Sequence, residues 1–186
     1  NNFLGEKTYD AFLLINGLVG ALLLGTAVAT FFTGANFTVE RANLANVGGD
    51  TVISQWTTPW RGLEAVLDYR NLALGLAVMF LSRVLAPQYF MNAIDNEAIL
   101  KRSKKSLLWN SLIFVVCFLT FFISILFSSG WAVDPNTGII TIEKYKYLHN
   151  LLQMPYVSIP LVIGVLLVLF GIYVGLFTKK DSKAIW

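Results

Sequence analysis

Arg83 stands inside an otherwise apolar run, "AVMFLSRVLAPQYFM" (77–91). A guanidinium is in effect always charged. At the centre of a bilayer it costs about 2.5–3.5 kcal/mol on insertion scales. The charge must therefore reach water or a partner, and three chemistries are open to it. Its long stem can snorkel to the headgroups if Pro87, Gln88 and Tyr89 mark the interface. It can face the protein interior and pair with a carboxylate on a helix outside these residues, on a partner subunit or on a bound anionic group. It can also pack against helix carbonyls. No Asp or Glu lies deep in any of the apolar runs, so they do not supply the counter-charge.

Other reactive types are sparse. His149 is the only histidine. Haem or metal ligation and proton transfer are within its chemistry, but no second ligand stands at useful spacing. A polar side chain on an interfacial helix is the expectation for it. Cys117 is the single cysteine, which excludes a disulfide framework within these residues, a CxxC pair and a cysteine metal site. Phe114, Phe118, Phe121 and Phe122 could border a cofactor, but lipid contact is the expectation. "NVGGD" (46–50) reads as a turn. Asn36-Phe37-Thr38 matches a glycosylation sequon, which matters only in a eukaryotic source. There is no nucleophile, acid–base pair or metal cluster, and no catalytic, cofactor-binding or metal residue is assigned. A nucleic-acid partner is not expected.

The elements that must position Arg83 follow from composition. Hydrophobic residues make up 56% of the 186-residue chain and charged residues 13%, against roughly 25% charged in soluble domains. Mean hydropathy is +0.64. A membrane-crossing helix needs about 20 mostly apolar residues, and four stretches qualify: about 11–32, 71–90, 107–127 and 156–177. The expected fold is an all-α membrane protein with four transmembrane helices in one membrane domain over 1–186. "KRSKK" (101–105) reads as a short basic loop. Lys7, Lys179, Lys180 and Lys183 flank the outer spans. The positive-inside rule then puts both termini and "KRSKK" in the cytoplasm and the 34–70 and 128–155 loops outside. Trp109 and Trp131 are 22 positions apart, about 33 Å along a helix, matching the two aromatic belts of a bilayer.

The outside loops carry local signals. In "TTPWRGLEAVLDYRN", Thr58 as N-cap and Pro59 in the first turn predict a helix that lies in the interface and runs into the second span. "WAVDPNTGIITIE" predicts a small hairpin turning at 134–138. "EKYKYLHNLLQMPY" predicts a short amphipathic helix ending near Pro155. Gly17, Ala21, Gly25 and Ala29, each four residues after the last, form a small-residue stripe that lets another helix approach closely, and Gly171 and Gly175 repeat the spacing.

Three long stretches carry a resemblance: "NFLGEKTYDAFLLINGLVGALLLGTAVATFFTGANFTV", "NLANVGGDTVISQWTTPWRGLEAVLDYRNLALGLAVMFLSRVLA" and "KYKYLHNLLQMPYVSIPLVIGVLLVLFGI". The chain resembles the middle of subunit II of the bacterial cytochrome bd-type ubiquinol oxidases, in a shorter-looped branch. The resemblance implies an eight-helix subunit of two four-helix bundles, paired pseudo-symmetrically with subunit I, of which these residues would be an internal piece, roughly helices three to six. It implies a complex of the bacterial inner membrane that oxidises quinol, reduces dioxygen to water and takes its protons from the cytoplasm. Haems b and d and the quinol site would belong to subunit I. This chain would bind no cofactor directly, save a structural quinone or lipid, and would support assembly or proton and oxygen access. The family often carries Gln or His near Arg83, so the arginine is a departure and no proton-conducting role is carried over to it. "DSKAIW" (181–186) resembles the start of a further span, with Trp186 at the interface.

Two other readings compete. A transporter or channel subunit would use Arg83 for an anionic substrate, but such proteins break helices at midplane and line a path with polar groups. Here Asn16, Thr26, Thr30, Thr120 and Ser124 are few and scattered. A structural tetraspan adhesion protein would commonly brace its outer loop with disulfides, and that loop has no cysteine.

Overall fold

The computed structural model describes residues 5–40, 53–134 and 137–177. Among these residues the chain forms five α-helices and two small antiparallel hairpins. Helix α1 spans Glu6–Thr33, α2 Tyr69–Ala93, α3 Glu97–Leu126, α4 Lys146–Gln153 and α5 Pro155–Phe177. The first hairpin pairs β1 (Phe37–Val39) with β2 (Ser54–Trp56), and the second pairs β3 (Gly130–Val133) with β4 (Ile140–Glu143). Helices α1, α2, α3 and α5 are each long and apolar enough to cross a membrane. Little of α1 or α5 is buried within the chain, as expected of helices whose solvent is lipid or another subunit.

Helix α2 is the centre of the packing, with α1 on one side and α3 on the other. One apolar cluster joins Ala77, Val84 and Met91 of α2 to Leu107 and Phe114 of α3 and Ile172 of α5. A second joins Ala29 of α1, Ala73 of α2, and Phe121 and Ile125 of α3. Lipid contact was the expectation for the phenylalanines of α3. Instead Phe114 and Phe121 are buried in these clusters, while Phe118 and Phe122 are half-buried and stack along the helix. At helical spacing the ring at 121 is turned toward α1 and α2, and the ring at 114 toward α2 and α5.

Two sequence expectations need correction. No helix starts at Thr58. Arg61 (φ 49°) and Gly62 (φ 94°) take left-handed backbone there, which a right-handed helix cannot include. The Thr58 hydroxyl instead donates to Glu64 Oε1 at 2.7 Å. A single 3₁₀ turn covers Leu63–Leu67, and α2 begins afresh with Asp68 as N-cap, accepting from the Arg70 N–H at 2.8 Å. The "KRSKK" run is not a loop either. Asn96 caps α3, accepting from the N–H groups of Ala98 (3.0 Å) and Ile99 (3.3 Å), so Lys101–Lys105 lie in the second and third turns. Lys, Arg and Glu are good helix formers, and the helix continues beyond its apolar part.

The second hairpin and α4 fall where the sequence places them, with α4 ending one residue before Met154. The β1–β2 pair was not foreseen: each strand has only three residues, too few for a period to read. "NVGGD" and "DSKAIW" lie outside the described residues.

Candidate functional site

Two polar networks punctuate the apolar bundle, one at each end. At the hairpin end, Asn71 is 2% exposed on the first turn of α2. Its Oδ1 accepts from Thr33 Oγ1 at 2.7 Å and its Nδ2 donates to the Ala65 carbonyl at 2.9 Å. One amide thus ties the end of α1 to the 3₁₀ turn and to α2. Glu64 accepts from Thr58 and from the Gly62 N–H at 3.0 Å. These bonds, the Thr58 hydroxyl foremost, hold its carboxyl below the usual range. Asp68 is held low chiefly by the Arg70 guanidinium, 2.8 Å away. At the same end Phe32 packs edge-on against Phe121 and Tyr147, bringing α4 onto the bundle.

At the basic end stands Arg83. Its Nε donates to Asn110 Oδ1 of α3 at 3.1 Å. Asn110 is itself oriented: its Nδ2 donates to the Ser106 carbonyl at 2.6 Å and to Ser106 Oγ at 3.0 Å, which turns the amide oxygen toward the arginine. No carboxylate forms an ion pair with Arg83 among the described residues. Its protein partner is a neutral amide, a solution not among the three the sequence suggested. Asn110 is the one amide in the third span but was not singled out, because only facing helices disclose that 83 and 110 share a level. Pro87 lies one turn beyond Arg83 inside α2 rather than at its end. Beside it Gln88, 3% exposed, donates to the Gly171 carbonyl of α5 at 3.3 Å.

The small-residue stripe divides between two environments. Gly25 and Ala29 are buried. A Cβ on Gly25 would meet Gly75 Cα at 2.8 Å and the Leu74 carbonyl at 2.9 Å, so the backbones of α1 and α2 nearly touch. Gly17 has nothing within 4 Å of a built Cβ, and Ala21 is half-buried. Gly175 is buried, and Gly171 is half-buried with its carbonyl on Gln88. The partner glycine, Gly75, was not singled out in the sequence, since it stands alone in α2 without a repeat.

His149 sits on α4 with Nδ1 2.5 Å from Glu143 Oε1, and Lys146 Nζ reaches Glu143 Oε2 at 2.8 Å. Lys146 first, then His149, holds the Glu143 carboxyl below its usual range. This triad ties α4 to β4. Among the described residues no group of three or more His, Cys, Asp or Glu side chains could hold a metal ion. An apolar cavity of about 440 Å³ lies between α2, α3 and α5, walled by Leu81, Phe118, Pro160 and Gly164 among others.

Four long apolar helices, whose backbone hydrogen bonds close within each helix, define a multi-pass helical membrane protein. The family described as cytochrome bd terminal oxidase subunit II matches residues 2–186. The chain belongs to that family and is a membrane subunit of a respiratory oxidase, part of an oxidoreductase complex. No curated protein and no solved structure matches it.

Proposed function

We propose that this chain is a supporting, haem-free subunit of a quinol oxidase that couples quinol oxidation to the reduction of dioxygen to water. Haems b and d and the quinol site would reside in its partner, subunit I. The observation that carries the reading is the family match over 2–186. The bundle gives it a physical basis. Three of its buried amides join elements: Asn71 ties α2 to α1 and the 3₁₀ turn, Asn110 holds Arg83, and Gln88 reaches α5. Scaffold and assembly are therefore the roles its own residues serve best. Gly25 and Ala29 give α2 its close approach, Gly171 offers its carbonyl to Gln88, and Gly17 with Ala21 leaves a narrow strip for a helix of the partner.

The basic turns of α3 favour a cytoplasmic location for that end, in a bacterial inner membrane, with both hairpins outside. A tagged full-length protein should carry haem absorption through a mild-detergent pulldown, and its deletion should abolish quinol-dependent oxygen uptake. A haem-free pulldown together with unchanged uptake would refute the assignment. Thiol labelling of single cysteines at Lys104 and Trp60 should report opposite faces, and labelling from one face would overturn the orientation.

A further inference from the structure

We propose that the groove between the second half of α2 and the first turns of α3 binds the phosphodiester of an anionic membrane lipid. The groove has a volume of about 320 Å³ and is lined by Arg83, Ala86, Pro87, Phe90, Arg102, Ser103 and Ser106. Positions 83, 86, 87 and 90 form one stripe of α2, and 102, 103 and 106 one stripe of α3. Two guanidiniums therefore line one cleft, and neither forms an ion pair among the described residues. Arg83 uses its Nε on Asn110, which leaves its terminal nitrogens to donate. A guanidinium fork matches two oxygens of a phosphate.

Two serines add to the site. Ser106 Oγ accepts from Asn110, so its own O–H remains to donate. Ser103 is 7% exposed, lines the groove, and has no hydrogen-bond partner among the described residues. A buried hydroxyl without a partner is costly, and a phosphate oxygen in the groove would satisfy it.

Depth and surroundings select a lipid over a free ion. Arg83 hydrogen-bonds at the level of Asn110, eight residues into α3 from Arg102, which is about 12 Å along the axis. The groove thus runs from the basic turns into the apolar part of the bundle, the span between a headgroup and the start of its acyl chains. Apart from Arg83, its α2 wall is apolar: Ala86, Pro87 and a half-exposed Phe90. Lys101 and Lys105 beside Arg102 are exposed, and they would repel the ammonium of a zwitterionic headgroup while attracting an anionic one. The proposal needs the chain to be embedded in a membrane and is independent of what the oxidase partner does.

The test uses the full-length protein in its purified complex, delipidated and returned to nanodiscs of phosphatidylcholine with added phosphatidylglycerol, with bound lipid counted by mass spectrometry. Arg83→Gln and Arg102→Gln should each weaken phosphatidylglycerol retention roughly tenfold, the loss of one charge-assisted contact. Lys101→Gln, the same charge change off the groove, should weaken it less than about twofold. Arg102 makes no hydrogen bond among the described residues, so its variant carries the test if Arg83→Gln fails to assemble. Equal losses in Arg102→Gln and Lys101→Gln would reduce the effect to diffuse charge and overturn the site. Retention of phosphatidylcholine as strong as that of phosphatidylglycerol would overturn the anionic headgroup. Displacement of the lipid by millimolar inorganic phosphate would overturn the lipid in favour of the free ion.

Discussion

Replacing Gly75 with alanine should separate α1 from α2. A Cβ at 75 would lie 2.5 Å from Thr26 Oγ1 and 2.8 Å from the Leu22 carbonyl, whereas ordinary contact begins at 3.4 Å. The hydroxyl cannot swing aside without cost, because it donates to that same Leu22 carbonyl at 2.9 Å and Thr26 is buried. The backbone oxygen cannot rotate away at all. The helices must therefore part by about 0.6 Å (3.4 − 2.8). Overpacking of this kind costs about 1–3 kcal/mol. Glycine-to-alanine also brings a helix-propensity gain of about 0.5–1 kcal/mol, so the comparison is Gly20→Ala in α1, where a Cβ meets nothing within 4 Å. The propensity gain is common to both variants and cancels in their difference. Titration of the purified protein with SDS, followed by far-UV circular dichroism, should place Gly75→Ala about 1–3 kcal/mol below Gly20→Ala. If Gly75→Ala proves as stable as Gly20→Ala, the close α1–α2 crossing is not how this bundle packs.

Two further perturbations address the hairpin end. Asn71→Leu leaves the Thr33 hydroxyl only its longer bond to the Ala29 carbonyl (3.3 Å) and the Ala65 carbonyl only the Asp68 N–H (3.3 Å); it should destabilise by about 1 kcal/mol and speed amide exchange at 63–68, and unchanged exchange there would remove Asn71 as the tie. Glu143 has a folded-state pKa below its ordinary value, owing first to Lys146 and then to His149. Its contribution is therefore present above the unfolded pKa and lost as pH falls through the depressed folded one. Fluorescence of Trp131, paired with Ile142 across the hairpin, should report loosening of α4 on the acid side of the usual carboxylate range. Glu143→Gln should flatten that response, and a transition that survives the substitution would assign it to another group.

Much of this protein is written in hydropathy. Four spans, the second hairpin and the amphipathic α4 all follow from local period and turn chemistry, because a backbone in lipid has to satisfy its hydrogen bonds within a helix and a short polar turn declares itself by residue type. Helix starts were less legible. Thr58 is the cap the sequence suggests, and the left-handed backbone at Arg61 and Gly62 decides against it; Asn96, which does cap a helix, was not singled out. The basic run 101–105 reads as a loop because it ends the apolar pattern, yet it is helical, since a helix leaving the membrane keeps its hydrogen bonds whether its side chains are apolar or charged.

What only the tertiary structure decided is which polar residues meet. Sequence alone established that Arg83 is a charge in an apolar run and that no acid in the runs could answer it. That its partner is the amide of Asn110, that Arg102 and Ser103 face it across one groove, and that Gly75 is the surface on which Gly25 rests are properties of helix rotation and relative height. These depend on side-chain packing between segments many residues apart. A period along one helix names the face that is buried, but only the docked neighbour determines what that face touches.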